Sequence, residues 1–379
     1  MDALILTCGT GGGHNAAAAA IQQELTARGH SAELLNPYTL RGERLESVVN
    51  AAYVKLVQRA PHVFGMAYTI GSAYRLVPFR SPVYYANNGR MAAYLGRYLM
   101  ERHFDAVIAT HLFPAEILTG LRRRGFPLPR VYFVATDYTC IPFTEETECD
   151  RYIIPSEKLV PEFCRRGIPR ERLCPLGIPV RAQFYQHSDR AELRARLGLD
   201  QDRRYILLAG GSIGAGKIGQ AVSALLAHYD RASVELIVIC GSNQRLYKSL
   251  SRRYGARCTV IGSTPDMADY MRACDLFISK PGGLSSTEAA VSGASLIHIT
   301  PIPGCETHNM RFFQQYGLGV AVPFLHPRLL KVCDQLLERE QALDRNNDRD
   351  GVIPDNAAAA ICDLMERDAA GAGVEAARA

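Results

Sequence analysis

The chain lacks tryptophan altogether among its 379 residues, and none of its eleven cysteines sits in a CxxC pair. It also has no apolar run near the ~18–20 residues that a bilayer-spanning helix needs. The missing run excludes a spanning helix. The missing CxxC removes zinc ribbons and thioredoxin-type dithiols. An odd number of thiols, scattered from Cys8 to Cys362, argues against a disulfide framework, so reduced thiols in a cytoplasmic setting are expected. The opening MDALILTCGTGGGH has an acid where a signal peptide carries basic residues, and its apolar run is short, so no leader is expected. Acids are scarce between Arg41 and Arg102: three glutamates face nine Lys and Arg, a local charge of +6 in a chain of net charge +5.

Hydrophobic content of 47% and charged content of 21% suit a soluble α/β protein, and the length suits two domains. Short β-rich runs alternate with helix-length segments. The first set is Ala3–Leu6, Ala32–Leu35, Ala106–Ala109, Val131–Val134 and Tyr152–Ile154. The second is Tyr205–Ala209, Val234–Ile239, Thr259–Ile261, Leu276–Ile278 and Leu296–Ile299. Such alternation predicts parallel sheets covered on both faces. Each set opens with a strand that runs into a glycine-rich turn and then a helix, so two Rossmann-like domains in tandem are expected. The boundaries are 1–184 and 185–345, with a helix over 353–367 packing back on the first domain and a flexible tail over 368–379.

Residues 41–103 break the alternation. They are helical in pattern and interleave arginines with Tyr53, Phe64, Tyr68, Tyr74, Phe79, Tyr84, Tyr85, Tyr94 and Tyr98. That composition fits a peripheral surface resting on anionic lipid headgroups. An ordinary helical insertion with solvated arginines is the plainer alternative. No nucleic-acid motif accompanies the basic stretch, so nucleic acid is not an expected partner.

The stretch Ser279–Asn309 carries the most chemistry. An apolar run ends at Ile278, turns through Gly282-Gly283, and opens a helix at Ser285, Ser286, Thr287 and Glu288. Free N–H groups and the positive dipole end at such a start suit a diphosphate. Glu288, one turn in, is placed to accept sugar hydroxyls. A following loop offers Glu306, His308 and Asn309 for more hydroxyls. Lys280 either offsets phosphate charge or is solvated. A second glycine turn, Gly210–Gly216, matches GxxxxGK from Gly211 to Lys217. Ile218 stands where a nucleotide hydrolase needs a magnesium-binding hydroxyl, so a diphosphate contact without hydrolysis fits better. In Gly9–His14 the glycines Gly11, Gly12 and Gly13 let a phosphate or an acceptor approach the backbone. His14, at a helix start, is expected to stay neutral, as a general base must; the plainer alternative is a capping or packing histidine. Asp137 in ATDYT follows a strand and orients His14, is itself the base, or is a helix or turn cap. His111 follows another strand and lines the same cleft or a plain turn.

In order along the chain, GTGGGHNAAAAAI, TDYT, PLGIPV, GGSIGAG, VICGSN, KPGGLSSTEA and PGCETHN resemble the lipid glycosyltransferases. The nearest group is the monogalactosyldiacylglycerol synthases with the bacterial processive diacylglycerol glucosyltransferases. The enzyme that adds N-acetylglucosamine in lipid II synthesis is a more distant relation. The resemblance covers Leu4 to Val322. It implies a GT-B fold, with two Rossmann-like domains facing across a cleft. It also implies a UDP-sugar donor in the C-terminal domain and a lipid acceptor reached from the membrane by the N-terminal one. By position, it implies that Gly211 and Ser212 approach the diphosphate or ribose, and that Gly262, Ser263 and Met267 border uracil. Gly283, Leu284, Ser285 and Ser286 meet phosphate, Glu288 holds ribose, and Glu306 and Asn309 hold the hexose. His14 matches the histidine tied to acceptor activation. The chain departs from the galactolipid enzymes at TCIPFTEET, where a His-Pro-Thr-Trp-like run is usual and Phe143 is the aromatic available instead. It departs again at Ile213, where relatives often have a polar residue.

The reaction implied is inverting transfer of glucose or galactose from a UDP-sugar to a membrane lipid, foremost diacylglycerol, with no metal or further cofactor required. Another lipid or soluble acceptor, a UDP-sugar epimerase, a nucleotide hydrolase using Gly211–Lys217, and a non-enzymatic lipid-binding protein are the alternatives.

Overall fold

The computed structural model describes residues 1–9, 12–42, 61–74, 79–186, 188–322, 327–339 and 351–376. They form two compact units, Met1–Arg181 with Pro354–Ala379, and Ala182–Ile353.

The first unit is built on β1 (Asp2–Leu6), β2 (Ser31–Leu35), β3 (Ala106–Ala109), β4 (Arg130–Val134), β5 (Arg151–Ile153) and β6 (Leu173–Cys174). They lie in the order β2-β1-β3-β4-β5-β6, all parallel. Central strands such as β3 are buried at every position, as expected where helices cover both faces. Alanines on the helix Gly12–Ala27 bring it close to the sheet, where Ala18, Ile21 and Leu25 pack with Ile5, Ile108 and Val134. Ile361 and Met365 of the C-terminal helix Ala357–Ala376 close the same core. Each such large apolar side chain contributes about 1.5–3 kcal/mol on burial.

That last helix does not stop at Arg367 but runs on to Ala376, into the tail that composition predicts to be flexible. Asp368 is paired with Arg130 at 2.6 Å and Arg151 at 3.2 Å, and the Tyr132 hydroxyl donates to it at 3.0 Å. Those bonds tie the helix at Asp368 to β4 and β5.

Within 41–103, helices run over Pro61–Tyr74, Pro82–Asn88 and Arg90–Glu101; residues 43–60 and 75–78 of the expected insertion lie outside the described residues. Pro82–Asn88 starts on Ser81, whose hydroxyl caps Tyr84 and whose N–H donates to the Glu146 carboxylate. It lies so close to the helix Leu112–Arg123 that a Cβ on Gly120 would meet Asn88 Oδ1 at 1.4 Å.

The second unit holds β7 (Arg204–Ala209), β8 (Val234–Ile239), β9 (Thr259–Ile261), β10 (Leu276–Ser279), β11 (Leu296–Ile299) and β12 (Val320–Val322). They are parallel, in the order β12-β11-β10-β7-β8-β9. This is the doubly wound order, which reverses direction between β7 and β10; the first sheet reverses between β1 and β3. Ligands of such sheets gather at the carboxyl ends of strands beside the reversal. Contrary to the loop expected from the sequence, Glu306, His308 and Asn309 stand on the helix Cys305–Gln315. Gly304, at φ 115°, makes the turn, and buried Met310, Phe312 and Phe313 draw the segment onto the sheet as a helix.

Candidate functional site

In the first unit, the loops after β1, β3 and β4 bring together His14, His111 and Asp137. These three line one narrow pocket with Thr110, Thr136 and Ile141; its enclosed volume is about 10 Å³, the room of one water. Gly12 and Gly13 are the first residues of the helix that carries His14, so they form its opening turn and not a free loop; Gly11 lies outside the described residues. His14 Nδ1 is 2.9 Å from the Thr110 carbonyl and 2.8 Å from Thr136 Oγ1. A carbonyl can only accept, so Nδ1 carries the proton of the neutral ring and Nε2 is left as the basic nitrogen. The His14 pKa is lowered, first by burial, against the opposing pull of the Asp137 carboxylate and of the Thr110 carbonyl. Neutrality was expected from the helix dipole; in the structure burial is its first cause. His111 sits edge-on to His14, ring centres 4.5 Å apart. Its Nδ1 accepts from Phe113 N at 3.1 Å, capping the helix Leu112–Arg123. Burial and the His14 ring drive its pKa well below the usual value.

The loop that carries Asp137 is braced from beneath. Glu162 accepts from Thr139 Oγ1 at 2.6 Å and from Cys140 N at 2.8 Å. Phe143 takes φ 72°, a strained value for a bulky residue. Its ring packs on Tyr74 at 5.9 Å and lies against Gly71, where a Cβ would stand 3.1 Å from it. Phe143 is thus tied to the helix Pro61–Tyr74.

In the second unit the loops after β7 and β8 are locked together. Ser242 N donates to Ser212 O at 2.8 Å, and Asn243 Nδ2 to Gly214 O at 3.0 Å. Gly214, at φ 54°, lies where a Cβ would meet Cys240 O at 2.2 Å; Gly241 faces Ser212 O in the same way at 2.3 Å. Gly211 has φ 69° and Ser212 is exposed. Lys217 is exposed and Ile218 is core, 1% exposed, so this turn lacks the buried lysine and hydroxyl of a hydrolase loop. After β9, Gly262 O accepts from Gly241 N, Ser263 is exposed, and Met267 starts the helix Met267–Ala273.

The KPGG turn after β10 behaves differently. The helix Gly283–Val291 has Gly282 at its N-cap and no side chain capping it. Ser286 N makes the first intrahelical bond, to Gly282 O at 2.9 Å. Gly283, Leu284 and Ser285 therefore lie ahead of that bond, and their N–H groups have no intrahelical carbonyl. The Ser286 hydroxyl turns inward to His298 Nε2 at 2.8 Å, and its N–H is on Gly282 O, so both already have partners within the unit. Glu288 is 8% exposed. Lys280 pairs with Glu306, whose other oxygen accepts from Ile302 N at 2.9 Å. Asn309 Nδ2 donates to Pro281 O at 3.0 Å, so this residue braces the KPGG turn; His308 is half-buried beside it. Thr300, after β11, takes φ 40° and has a buried hydroxyl with no hydrogen-bond partner. Thr110, Thr136, Ile302 and Thr300 were not singled out from sequence. Only Thr136 had a signal, its place next to Asp137 in TDYT. No group of three or more His, Cys, Asp or Glu among the described residues is placed to hold a metal ion.

Residues 14–180 match the monogalactosyldiacylglycerol (MGDG) synthase family, and residues 205–323 match the glycosyltransferase family 28 C-terminal domain. A processive diacylglycerol beta-glucosyltransferase of Bacillus pumilus is 25% identical over 354 residues, spanning 90% of this chain and 88% of the relative. The crystal structure of Acinetobacter baumannii MurG aligns with a TM-score of 0.60 at 19% identity, over 97% of this chain and 99% of that one. Anabaena Alr3699/HepE in complex with UDP aligns with a TM-score of 0.54 at 14% identity, over 99% and 100%. At such identities the structural likeness is one of fold, the GT-B fold.

Proposed function

We propose that this chain, which belongs to the monogalactosyldiacylglycerol synthase and family 28 glycosyltransferases, moves glucose or galactose from a UDP-sugar to the hydroxyl of 1,2-diacylglycerol, inverting the anomeric carbon. The single observation that carries the reading is the uncapped helix start at Gly282–Ser285, beside Lys280 and at the reversal of a doubly wound sheet. Open N–H groups and a dipole end there favour a diphosphate. The Anabaena protein is in complex with UDP, and the Bacillus pumilus relative is named for diacylglycerol, in keeping with both substrates.

In this reading His14 Nε2 takes the proton of the acceptor hydroxyl as its oxygen attacks the anomeric carbon. The bond from that carbon to the diphosphate breaks, and its electron pair leaves with UDP. The Thr110 carbonyl fixes the His14 tautomer, and the Asp137 carboxylate steadies the imidazolium that forms. Preorganised N–H groups at Gly283, Leu284 and Ser285 meet the charge that develops on the leaving group. Gly211, Ser212, Gly262, Ser263, Met267, Glu288 and Glu306 keep the donor-side roles that the family resemblance implies, and Asn309, fully buried, serves the donor by bracing the KPGG turn.

The acceptor is membrane-borne, and the first unit has a surface that suits it. Among the described residues, the large apolar side chains left exposed are Leu34 and, between 61 and 100, Val63, Met66, Ile70, Phe79, Tyr85, Tyr94 and Met100. Val63, Met66 and Ile70 share one face of the helix Pro61–Tyr74. With the +6 charge of this stretch, that face rests on anionic lipid. No helix among the described residues is long and apolar enough to cross a membrane.

The test is a donor panel. Radiolabelled UDP-glucose and UDP-galactose are incubated with the protein and diacylglycerol micelles, and the lipid extract is chromatographed. Labelled glycolipid from one donor is expected. Sugar turnover without a lipid product would replace this reading with a soluble-acceptor or epimerase activity.

A further inference from the structure

We infer that Lys280 and Glu306 form a counter-ion switch in the donor site: Glu306 neutralises Lys280 until the donor's diphosphate takes its place, which releases the Glu306 carboxylate to the hexose hydroxyls. The inference rests on the UDP-sugar reading above and adds an order of events to it.

Lys280 follows β10 directly, at the reversal of the second sheet. Its side chain lies across two glycine turns. A Cβ on Gly211 would stand 3.1 Å from Lys280 Cε, and a Cβ on Gly282 would stand 3.3 Å from Nζ. Gly211, at φ 69°, belongs to the turn after β7, and Gly282 caps the open helix. The ammonium therefore sits between the two glycine turns, near the positive end of the helix dipole. Lys280 and Glu306 side chains are 15% and 7% exposed, so salt screens their attraction weakly. Glu306 answers this potential with one negative charge. One of its oxygens is on Lys280 and the other is on Ile302 N, and neither reaches the N–H groups of Gly283 to Ser285 by any bond described.

A diphosphate brings more negative charge and more acceptor oxygens than a carboxylate. It can meet the ammonium and the helix N–H groups together, whereas Glu306 meets only the first. Exchange is therefore favourable for a diphosphate and not for a bare nucleoside. Once displaced, Glu306 is a charged acceptor on the first turn of the helix Cys305–Gln315, which suits sugar hydroxyls. During transfer the anomeric C–O bond breaks and its electron pair stays on the β-phosphate oxygen. Lys280 balances that charge, while the acceptor's proton goes to His14.

Calorimetry on the full chain with uridine, UDP and UDP-hexoses tests the switch in Lys280→Gln, Glu306→Gln and the double variant. Lys280→Gln is expected to weaken UDP roughly ten- to hundredfold, the loss of one charge-assisted contact, with uridine unchanged. Glu306→Gln should bind UDP at least as tightly as the wild type and lose the extra affinity contributed by the hexose. Lys280→Gln alone leaves a buried carboxylate without its cation and can unfold. The double variant removes both charges and should show the same UDP loss with a melting temperature near that of the wild type. UDP affinity unchanged in the double variant, or UDP weakened by Glu306→Gln alone, overturns the switch and leaves the donor reading standing. A wild-type protein that binds no UDP overturns the donor reading and the switch with it.

Discussion

The two sheet reversals handle charge in opposite ways. Around β1, β3 and β4 the protein buries two imidazoles and lowers the pKa of both, His111 furthest. Around β7, β10 and β11 it pairs a lysine with a glutamate at low exposure and leaves a helix start uncapped. A proton acceptor must be neutral before it acts, and burial supplies that. A departing diphosphate needs positive potential already in place, and ions with aligned dipoles supply that. One doubly wound plan can be turned to either task by what its first glycine turn leads into: a histidine after β1, and after β7 a turn that leaves room for Lys280.

The sharpest way to break this comparison is His14→Ala. Turnover should fall by about a thousandfold, within the range of lost general-base catalysis, while the UDP isotherm is unchanged. Loss of both together would end the division of labour. The same histidines set a pH signature. Their folded pKa values lie below the ordinary 6.5, so between those values and 6.5 the unfolded chain binds more protons than the folded one. Stability from this source is present above about 6.5 and is lost as the pH falls below it. The acid limb of kcat/KM should likewise lie below 6.5, where His14 finally protonates; a limb above that value would mean a different base.

On the donor side Gly214→Ala is the next largest change. The added Cβ has no room against Cys240 O, and φ 54° strains any residue with a side chain. We expect about 2–3 kcal/mol of lost stability together with weaker UDP binding, read by thermal melting and calorimetry, and glycolipid formation limited only through the donor KM. A smaller effect belongs to the first unit. Met66→Ser with Ile70→Ser removes two exposed apolar contacts of about 1 kcal/mol each, so co-sedimentation with anionic vesicles should drop roughly tenfold or more with UDP affinity intact.

Much of the fold is legible in the sequence. Ten strand runs stand out because parallel strands covered on both faces are nearly continuous apolar text, and each is a strand. Leu173–Cys174 and Val320–Val322, edge strands of two and three residues, do not stand out, although Thr259–Ile261, an edge strand equally short, does. The glycine turns announce the turn that leads to His14 in the first unit and the one that follows Lys280 in the second. Side-chain direction is not readable. Ser286 looks like a phosphate ligand because it follows a glycine turn, yet at 1% exposure it faces the sheet. Glu306 and Asn309 look like loop residues because PIPG precedes them, and helix formation onto buried Phe312 and Phe313 decides otherwise. The C-terminal helix looks ended at Arg367 because alanine and glycine hide the effect of one acid, Asp368, among two arginines and a tyrosine.

The smallest expected effect is also the most discriminating for the donor side. Ser286→Ala removes a hydroxyl that is bonded to His298 Nε2, while the Ser286 N–H stays on Gly282 O. If the diphosphate is held by backbone N–H groups and Lys280, UDP affinity should stay within about twofold. Stability should fall by about 1 kcal/mol, because His298 then loses a partner, and its Nδ1 already has none. Protonation cannot compensate for that loss. Burial, with the Lys280 charge adding to it, holds the His298 pKa down at about 3, so the ring is neutral wherever the enzyme works. The melting shift should therefore be the same from about pH 6 to about pH 8. A tenfold loss of UDP affinity in this variant would mean that a side chain and not the helix start grips the diphosphate, and the contrast between the two reversals would have to be redrawn around Ser286.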